Sequence, residues 1–274
     1  MSDVSPLGTV PLANLTVTRL VLGGNPFSGF SHQGDERDAE MVSYYTAARV
    51  KETLRKAEAA GITTLFARSD RHVARTLREY WDEGGTIQWV AQTASEEPDP
   101  MTNIPRAHKW GAKAIYLHGG QTDYFLSNDQ GGRIIDAIKA IHDRGLPAGV
   151  AGHRADDHDW VREHVDCDFQ MCCYYNSSDR ASDPAHHASY DECFDVRDRD
   201  RMMETIARMG DRPVVHYKIL AAGRTPPDEA FRFAGRHMRP HDVCCVGVHL
   251  GDNPDMIAED IDLFNRHCAG GSQA

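Results

Sequence analysis

The chain has 274 residues and a net charge of −11 at pH 7, from 30 lysines and arginines against 41 aspartates and glutamates. This charge argues against nucleic-acid partners and anionic membrane surfaces, because both attract a basic face. No apolar run approaches the length of a membrane span, and no basic segment followed by an apolar one resembles an export signal. We therefore expect a cytoplasmic protein that acts on a small molecule.

Apolar runs alternate with helical patterns along the chain. After a short hairpin or extended lead-in over Leu7–Thr18, these runs predict eight strands. The strands are Arg19–Gly23, Ile62–Ala67, Ile87–Gln92, Ala114–Leu117, Pro147–Ala151, Asp168–Tyr174, Pro213–Lys218 and Val243–Val248. Strand–helix alternation predicts a parallel sheet, and eight units predict one closed (β/α)8 barrel over residues 1–274. A doubly wound open sheet is the alternative, but its usual glycine fingerprint is missing after the first strand.

The segments between the strands carry helix and loop signals. Thr46 is a capping residue for a helix that ends at Gly61. The residues between the first strand and Tyr45 are interpreted as a long polar loop. Another stretch, 177–197, is rich in Ser, Asp and His and is longer than an ordinary connector. We expect a lid there.

Polar side chains stand at the ends of the predicted strands. They are Asn25, Arg68, Gln92, His118, His153, Tyr175, Asn176, Lys218 and His249. The carboxyl ends of barrel strands meet at one mouth, where the active sites of such barrels lie. Burying polar groups costs free energy unless each is paired, so a functional pocket explains this set better than stability does.

His118 and His153 end neighbouring strands and form the central pair of this set. They could hold a divalent metal with a third ligand, or act as acid and base, because histidine titrates near neutrality. Lys218 could transfer protons or form a Schiff base, or it could clamp an anionic substrate group. Arg68 and Arg224 could anchor a substrate or form salt bridges at the rim. The remaining members are expected to orient the substrate: Asn25, Gln92, Tyr175, Asn176 and His249.

Short motifs, taken in their order and spacing, resemble the aldo/keto reductase superfamily over nearly the whole chain. The opening LGTVPLANLTVTRLVLGG resembles the family's lead-in hairpin and first strand. Ile115–His118 is similar to the fourth-strand motif that ends in the family's active-site histidine. Tyr174–Asn176 resembles its sixth strand, and Tyr217–Gly223 its cofactor loop. The resemblance implies a barrel with its pocket at the strand ends and, for the family's own reaction, an NADP(H) cofactor.

The family's catalytic set has one match here, His118. The position of its aspartate reads Phe66, no tyrosine follows, and the third strand ends on Gln92 before a position where the family has lysine. We therefore expect an enzyme acting on a sugar or keto acid by acid/base or metal-assisted non-redox chemistry, as a lyase, isomerase or hydrolase. Two alternatives stay open. One is an NADP(H)-dependent reductase with Tyr175 or Lys218 as proton donor, and the other is a non-catalytic ligand-binding barrel.

Overall fold

The computed structural model describes residues 7–97, 99–177 and 192–270. It opens with an antiparallel hairpin of β1 (Thr9–Leu12) and β2 (Leu15–Thr18), in which Val10 lies opposite Val17. The predicted lead-in hairpin is therefore confirmed.

Eight parallel strands follow and close into a barrel, as predicted. They are β3 (Leu20–Gly23), β4 (Thr64–Arg68), β5 (Gln88–Gln92), β6 (Ala114–Leu117), β7 (Ala148–Gly152), β8 (Phe169–Cys173), β9 (Val214–Tyr217) and β10 (Val243–Gly247). Each strand pairs with the next along the chain, and β10 returns to β3, where Cys244 lies beside Leu20. This closure places every strand's carboxyl end at the same mouth.

Helices cover the outside of the barrel. They are α1 (Asp35–Tyr44), α2 (Ala47–Ala59), α3 (Arg71–Asp82), α4 (Pro100–Lys109), α5 (Gly119–Ser127), α6 (Gly131–His142), α7 (Ala155–His164), α8 (Val196–Ala207), α9 (Pro227–His237) and α10 (Met256–His267). Among the described residues, no helix is both long and apolar enough to cross a bilayer. Most of the expected lid, 177–197, lies outside the described residues, and α8 begins at the end of that stretch.

The prediction of a long polar loop before Tyr45 is wrong, because the structure has the helix α1 in that stretch. This helix buries only Met41, so it shows no apolar stripe, and acidic residues in its first turn favour its amino end. Helix α5 was also not predicted. It starts on two glycines and is buried around most of its circumference, which again hides the helical period.

Aromatic rings fill the inside of the barrel. The rings of Phe66, Tyr116 and Phe169 contact one another at centroid distances of 5.9 to 6.4 Å. The hairpin side chains Val10 and Val17 belong to the same apolar cluster. The hairpin thus closes the amino end of the barrel, and the carboxyl end is the one that opens.

Candidate active site

A cavity of about 240 Å³ lies at the carboxyl ends of the strands. Phe66, Tyr116 and Met171 give it an apolar floor, and the loops after β3, β9 and β10 form its walls. The space equals roughly eight water molecules at about 30 Å³ each. A small polar metabolite fits such a volume.

A narrower recess of about 40 Å³ adjoins the cavity and shares part of its lining. The recess brings together six of the predicted site residues: Asn25, Arg68, Gln92, His118, His153 and Lys218. A seventh, His249, lines the main cavity. Residues far apart in the chain therefore meet at one place, as the barrel geometry predicted.

His118 caps the amino end of α5. Its Nδ1 accepts a hydrogen bond from the backbone N–H of Gly120 at 2.9 Å. An N–H group can donate only to an unprotonated nitrogen, so the neutral ring carries its hydrogen on Nε2. His118 therefore lines the recess as a hydrogen-bond donor.

His153 is fixed in the opposite tautomer by Asp123 on α5. Its Nδ1 lies 2.6 Å from Oδ2 of Asp123, and its backbone N–H donates to Oδ1 at 3.1 Å. A carboxylate only accepts, so Nδ1 carries the hydrogen and Nε2 of the neutral ring is the basic nitrogen. The two side chains are 6% and 4% exposed. Asp123 thus orients a buried imidazole in the way that a triad aspartate does.

Lys218 follows β9 in a strained loop. Its φ is 56°, and Ala221 and Ala222 have φ values of 48° and 53°. Left-handed backbone costs a residue that has a Cβ roughly 1–2 kcal/mol. Strain of this kind clusters at functional sites, where the surrounding structure maintains it. Here it sets Lys218 at the junction of the cavity and the recess.

His32 reaches the same junction from the loop after β3. Its Nδ1 lies 2.8 Å from Oε1 of Glu192 and 3.4 Å from Nζ of Lys218. The shorter contact is the stronger hydrogen bond, so Nδ1–H donates to the carboxylate and the ammonium group flanks it. A second histidine–carboxylate pair therefore stands beside Lys218.

Tyr217 ends β9 and lines both the cavity and the recess. Burial raises the pKa of its phenol well above the ordinary value, and the nearby Cys173 and Asp123 add to the rise. The phenol accordingly stays protonated at neutral pH. Its hydroxyl donates to the backbone oxygen of Gly152 at 3.4 Å.

Arg68 and His249 contact acidic residues at the edges of the site. The guanidinium of Arg68 lies 4.7 Å from the ring centroid of Phe30, and its Nε is 3.2 Å from Asp70. Nδ1 of His249 is 3.1 Å from Oδ1 of Asp252. These contacts hold both side chains in place for an orienting role.

Tyr175, Asn176 and Arg224 are absent from the lining that the described residues form. Tyr175 is 2% exposed and packs on Phe194 with ring centroids 5.4 Å apart. Arg224 stacks over the same ring at 4.3 Å and donates to the backbone oxygen of His32. Strand β8 ends two residues before Tyr175, so that Tyr175 and Asn176 lie beyond its end. The structure does not bring these three residues to the site.

The metal hypothesis for His118 and His153 lacks a third ligand. Within 7–97, 99–177 and 192–270, no three side chains of His, Cys, Asp or Glu form a group that could hold a metal ion. Both Nδ1 atoms are engaged in hydrogen bonds, so Nε2 is the nitrogen through which each ring could bind a metal. Catalytic zinc sites use three protein ligands. The donor set fits acid/base chemistry better than metal binding.

Asp123, His32 and Tyr217 are members of the site that the sequence analysis missed. The sequence does contain a signal for Asp123, because this residue lies five positions after His118, on the helix that His118 caps at the end of the strand. Tyr217 precedes Lys218 in a run interpreted as buried strand. His32 has no signal, because its loop reaches the mouth only through tertiary contacts.

No protein-family model and no curated protein matches the chain. Two Pseudomonas aeruginosa structures assigned as aldo-keto reductases are similar to it, with TM-scores of 0.61 and 0.62 at 15% and 16% identity. They cover 94% and 97% of this chain and 94% and 98% of their own. A truncated 3-deoxy-D-arabino-heptulosonate 7-phosphate synthase from Thermotoga maritima has a TM-score of 0.55 at 11% identity, covering 95% of this chain and 90% of its own. These likenesses confirm an aldo/keto-reductase-like (β/α)8 barrel, and at such identities they show the fold alone.

The barrel's likeness to reductases raises the question of a nicotinamide dinucleotide, whose diphosphate needs cations or unpaired amides. Arg37, in the main cavity, pairs with Asp252, and Arg224, outside its lining, donates to backbone oxygens. The N–H groups of Ala221 and Gly223 donate within their own loop. Apart from Lys218, whose ammonium group is used by the reaction proposed below, these groups do not fit a diphosphate, and no step of that reaction involves a nicotinamide.

Proposed function

We propose that the chain is an enzyme that moves protons on a small polar substrate of the sugar or keto acid class, without hydride transfer. Isomerisation or elimination beside a carbonyl group is the chemistry that the site supports best. The observation that carries this proposal is the pair of opposite tautomers in one recess. His153 supplies a base, and His118 supplies a hydrogen-bond donor.

In the proposed reaction, Nε2 of His153 removes a proton from the carbon beside the carbonyl group, and the electron pair passes to the carbonyl oxygen. The Nε2–H of His118 and the ammonium group of Lys218 stabilise the resulting oxyanion. Asp123 stabilises the imidazolium that forms at His153. In an isomerisation, the hydroxyl group on the deprotonated carbon passes its proton to the oxyanion, its oxygen becomes the new carbonyl oxygen, and the imidazolium protonates the former carbonyl carbon. In an elimination, the imidazolium protonates a leaving hydroxyl on the next carbon, and the oxyanion returns to a carbonyl group. Neither route needs an oxidant or a reductant.

The fold does not indicate which reaction is catalysed, because (β/α)8 barrels catalyse many different reactions. The support comes from the site. An apolar floor and a cavity of about 240 Å³ suit a small molecule, and polar groups converge at one end. Asn25 and Gln92 lie where they can orient its oxygens.

Deuterium uptake from solvent tests the proposal with a small set of simple carbonyl compounds. The protein is incubated in D₂O with single probes, namely pyruvate, 2-oxobutyrate, D-ribose, D-xylose and D-glucose, and each probe is analysed by mass spectrometry. We expect deuterium beside the carbonyl group of at least one probe with the wild-type protein and none with His153→Gln. His164→Gln is the matched control, since that exposed ring stacks on Trp160 outside the barrel. Saturable NADPH binding with NADPH-dependent consumption of a probe, and no deuterium uptake, would overturn the proposal.

A further inference from the structure

His32 lies across the barrel mouth from His153. It belongs to the loop after β3, whereas His153 follows β7, and the order of the closed barrel places β3 and β7 four steps apart in both directions. Two strands so related stand opposite each other in the ring. Both side chains nevertheless line the same recess of about 40 Å³. A small molecule in the recess therefore has a histidine on each of two opposite sides.

The contacts of His32 identify Nε2 as its basic nitrogen. Nδ1–H donates to Oε1 of Glu192 at 2.8 Å, and the two side chains are 10% and 6% exposed. Nε2 is 3.4 Å from Nδ2 of Asn25, an amide nitrogen that can only donate. Both contacts agree with a neutral ring that has its lone pair on Nε2. His32 and Glu192 thus repeat the arrangement of His153 and Asp123.

The neighbours of His32 are the groups that the proposed reaction assigns to oxygen atoms. Nζ of Lys218, which stabilises the oxyanion in that reaction, is 3.4 Å from Nδ1 of His32. Asn25, which can orient substrate oxygens, lies beside Nε2. His153 acts on carbon from the opposite side of the recess. A base at the position of His32 therefore meets the oxygens of a bound substrate.

The backbone around His32 is held in a defined conformation. Its φ is 59°, in the left-handed region, and such strain persists where the surrounding structure maintains it. The side chain of Gln33 donates to the backbone oxygen of Ala222 at 2.8 Å, and Arg224 donates to that of His32 at 3.1 Å. These bonds tie the loop after β3 to the loop after β9. They fix His32 beside Lys218.

We propose that His32 is a further catalytic residue, which carries the hydroxyl proton from one oxygen to the other in the isomerisation of an aldose to a ketose. This inference rests on the proposed function and narrows its substrate to an aldose, since a hydroxyl group must stand beside the carbonyl group. After His153 has taken the proton from carbon, Nε2 of His32 accepts the hydroxyl proton and then donates it to the oxyanion. The hydroxyl oxygen becomes the new carbonyl oxygen, and His153 protonates the former carbonyl carbon. His32 ends in its original state, and Glu192 stabilises the imidazolium that forms on the way.

Measuring ketose formation together with deuterium uptake tests this role. The protein is incubated in D₂O with D-ribose, D-xylose and D-glucose, and carbon-bound deuterium is measured beside the yield of D-ribulose, D-xylulose and D-fructose. We expect wild type to take up deuterium and form ketose from at least one aldose. His32→Asn should keep uptake within about threefold and lower ketose formation by roughly a hundredfold, because His153 still removes its proton while the hydroxyl proton has no carrier. Asparagine suits the left-handed backbone, and retained uptake shows that the variant is folded. His72→Asn, which removes an exposed imidazole on α3, is the matched control and should keep both.

A second variant covers the case in which His32→Asn does not fold. Glu192→Gln keeps the ring but removes the charge that stabilises its imidazolium, so ketose formation should fall about tenfold or more relative to deuterium uptake. The inference is overturned if the ratio of ketose to deuterium uptake stays at the wild-type value in either variant. It is also overturned if nitrogen-15 NMR at about pH 8 shows the hydrogen of His32 on Nε2.

The same experiment separates this inference from the proposed function. Pyruvate and 2-oxobutyrate have no hydroxyl group beside the carbonyl group, so their deuterium uptake needs His153 but not His32. Uptake into these keto acids and into no aldose would overturn the role of His32 and leave the proposed function standing. Uptake into no probe at all would refute the proposed function, and this step with it.

Discussion

His118 and His153 directly follow the neighbouring strands β6 and β7, and their Nδ1 atoms have opposite hydrogen-bonding roles. Nδ1 of His118 accepts from a backbone amide, while Nδ1 of His153 donates to Asp123. One ring therefore has a hydrogen on Nε2 and the other has a lone pair there. Groups held in opposite states are how a single site supplies both an acid and a base.

Removing the charge of Asp123 should disable the base. In Asp123→Asn, the imidazolium of His153 loses its stabilising carboxylate, and the amide can hold the ring in the wrong tautomer. We expect deuterium uptake into the responsive probe to fall by roughly a hundredfold or more. Asp129→Asn, at an exposed position between α5 and α6, is the control and should keep the wild-type rate. A rate for Asp123→Asn within about threefold of wild type would contradict the role of this carboxylate.

A methyl group at position 119 should displace the catalytic ring while leaving the fold intact. A Cβ on Gly119 would lie 2.7 Å from Cε1 of His153 and 3.3 Å from the hydroxyl of Tyr217. Gly119→Ala should therefore lose deuterium uptake, and its melting temperature should fall, because the buried ring of His153 has to move to admit the methyl group. Gly132→Ala, at the equivalent end of α6, has nothing within 4 Å and should keep full activity. Full activity in Gly119→Ala would show that the ring position does not matter.

Because the backbone at Lys218 is strained, replacing this residue can test its function without a loss of stability. Lys218→Gly relieves a left-handed backbone at φ 56°, so the free energy of unfolding should stay unchanged or rise by up to about 1 kcal/mol. Deuterium uptake should nevertheless be lost, because the oxyanion has lost its cation. Ala222→Gly relieves the same kind of strain at φ 53° and should keep its activity. Urea unfolding and the deuterium assay check both variants, and an active Lys218→Gly would remove the lysine from the mechanism.

Asp260 on α10 should make stability fall as the pH rises. Its carboxyl group is 5% exposed, and Oδ2 has no hydrogen-bond partner within the described part of the chain. Burial raises the pKa of Asp260 to about 7, against about 3.9 in an unfolded chain. The folded state then binds the proton more tightly, so the free energy of unfolding declines between about pH 4 and about pH 7. Urea unfolding at both ends of this range should show a smaller decline for Asp260→Asn than for wild type, and an equal decline would contradict the prediction.

The barrel could be predicted because buried parallel strands are continuous apolar runs separated by helical patterns. Ala114–Leu117 was predicted to the residue, and Ile87–Gln92 differs from β5 by one residue at its start. The helices α1 and α5 could not be predicted in this way. Helix α1 buries too few side chains to show an amphipathic stripe, and helix α5 buries too many. Periodicity identifies a helix only when one face is buried and the other is exposed.

The position of His118, His153 and Lys218 could also be predicted, because a closed barrel forces the strand ends to meet. The tautomers of the two histidines and the backbone conformation of Lys218 could not be predicted. The tautomers depend on the amide of Gly120 and on Asp123, which belong to a helix that the sequence did not indicate. The left-handed conformation of Lys218 likewise depends on the packing around its loop rather than on local sequence preference.

Nitrogen-15 NMR of the histidine side chains tests the central claim most directly. The spectra are recorded near pH 8, about 1.5 units above the ordinary pKa of histidine, and His118→Gln and His153→Gln assign the signals. The account predicts that His118 carries its hydrogen on Nε2 and His153 carries its hydrogen on Nδ1. Two rings with the hydrogen on the same nitrogen would contradict it, because the recess would then lack either its base or its donor.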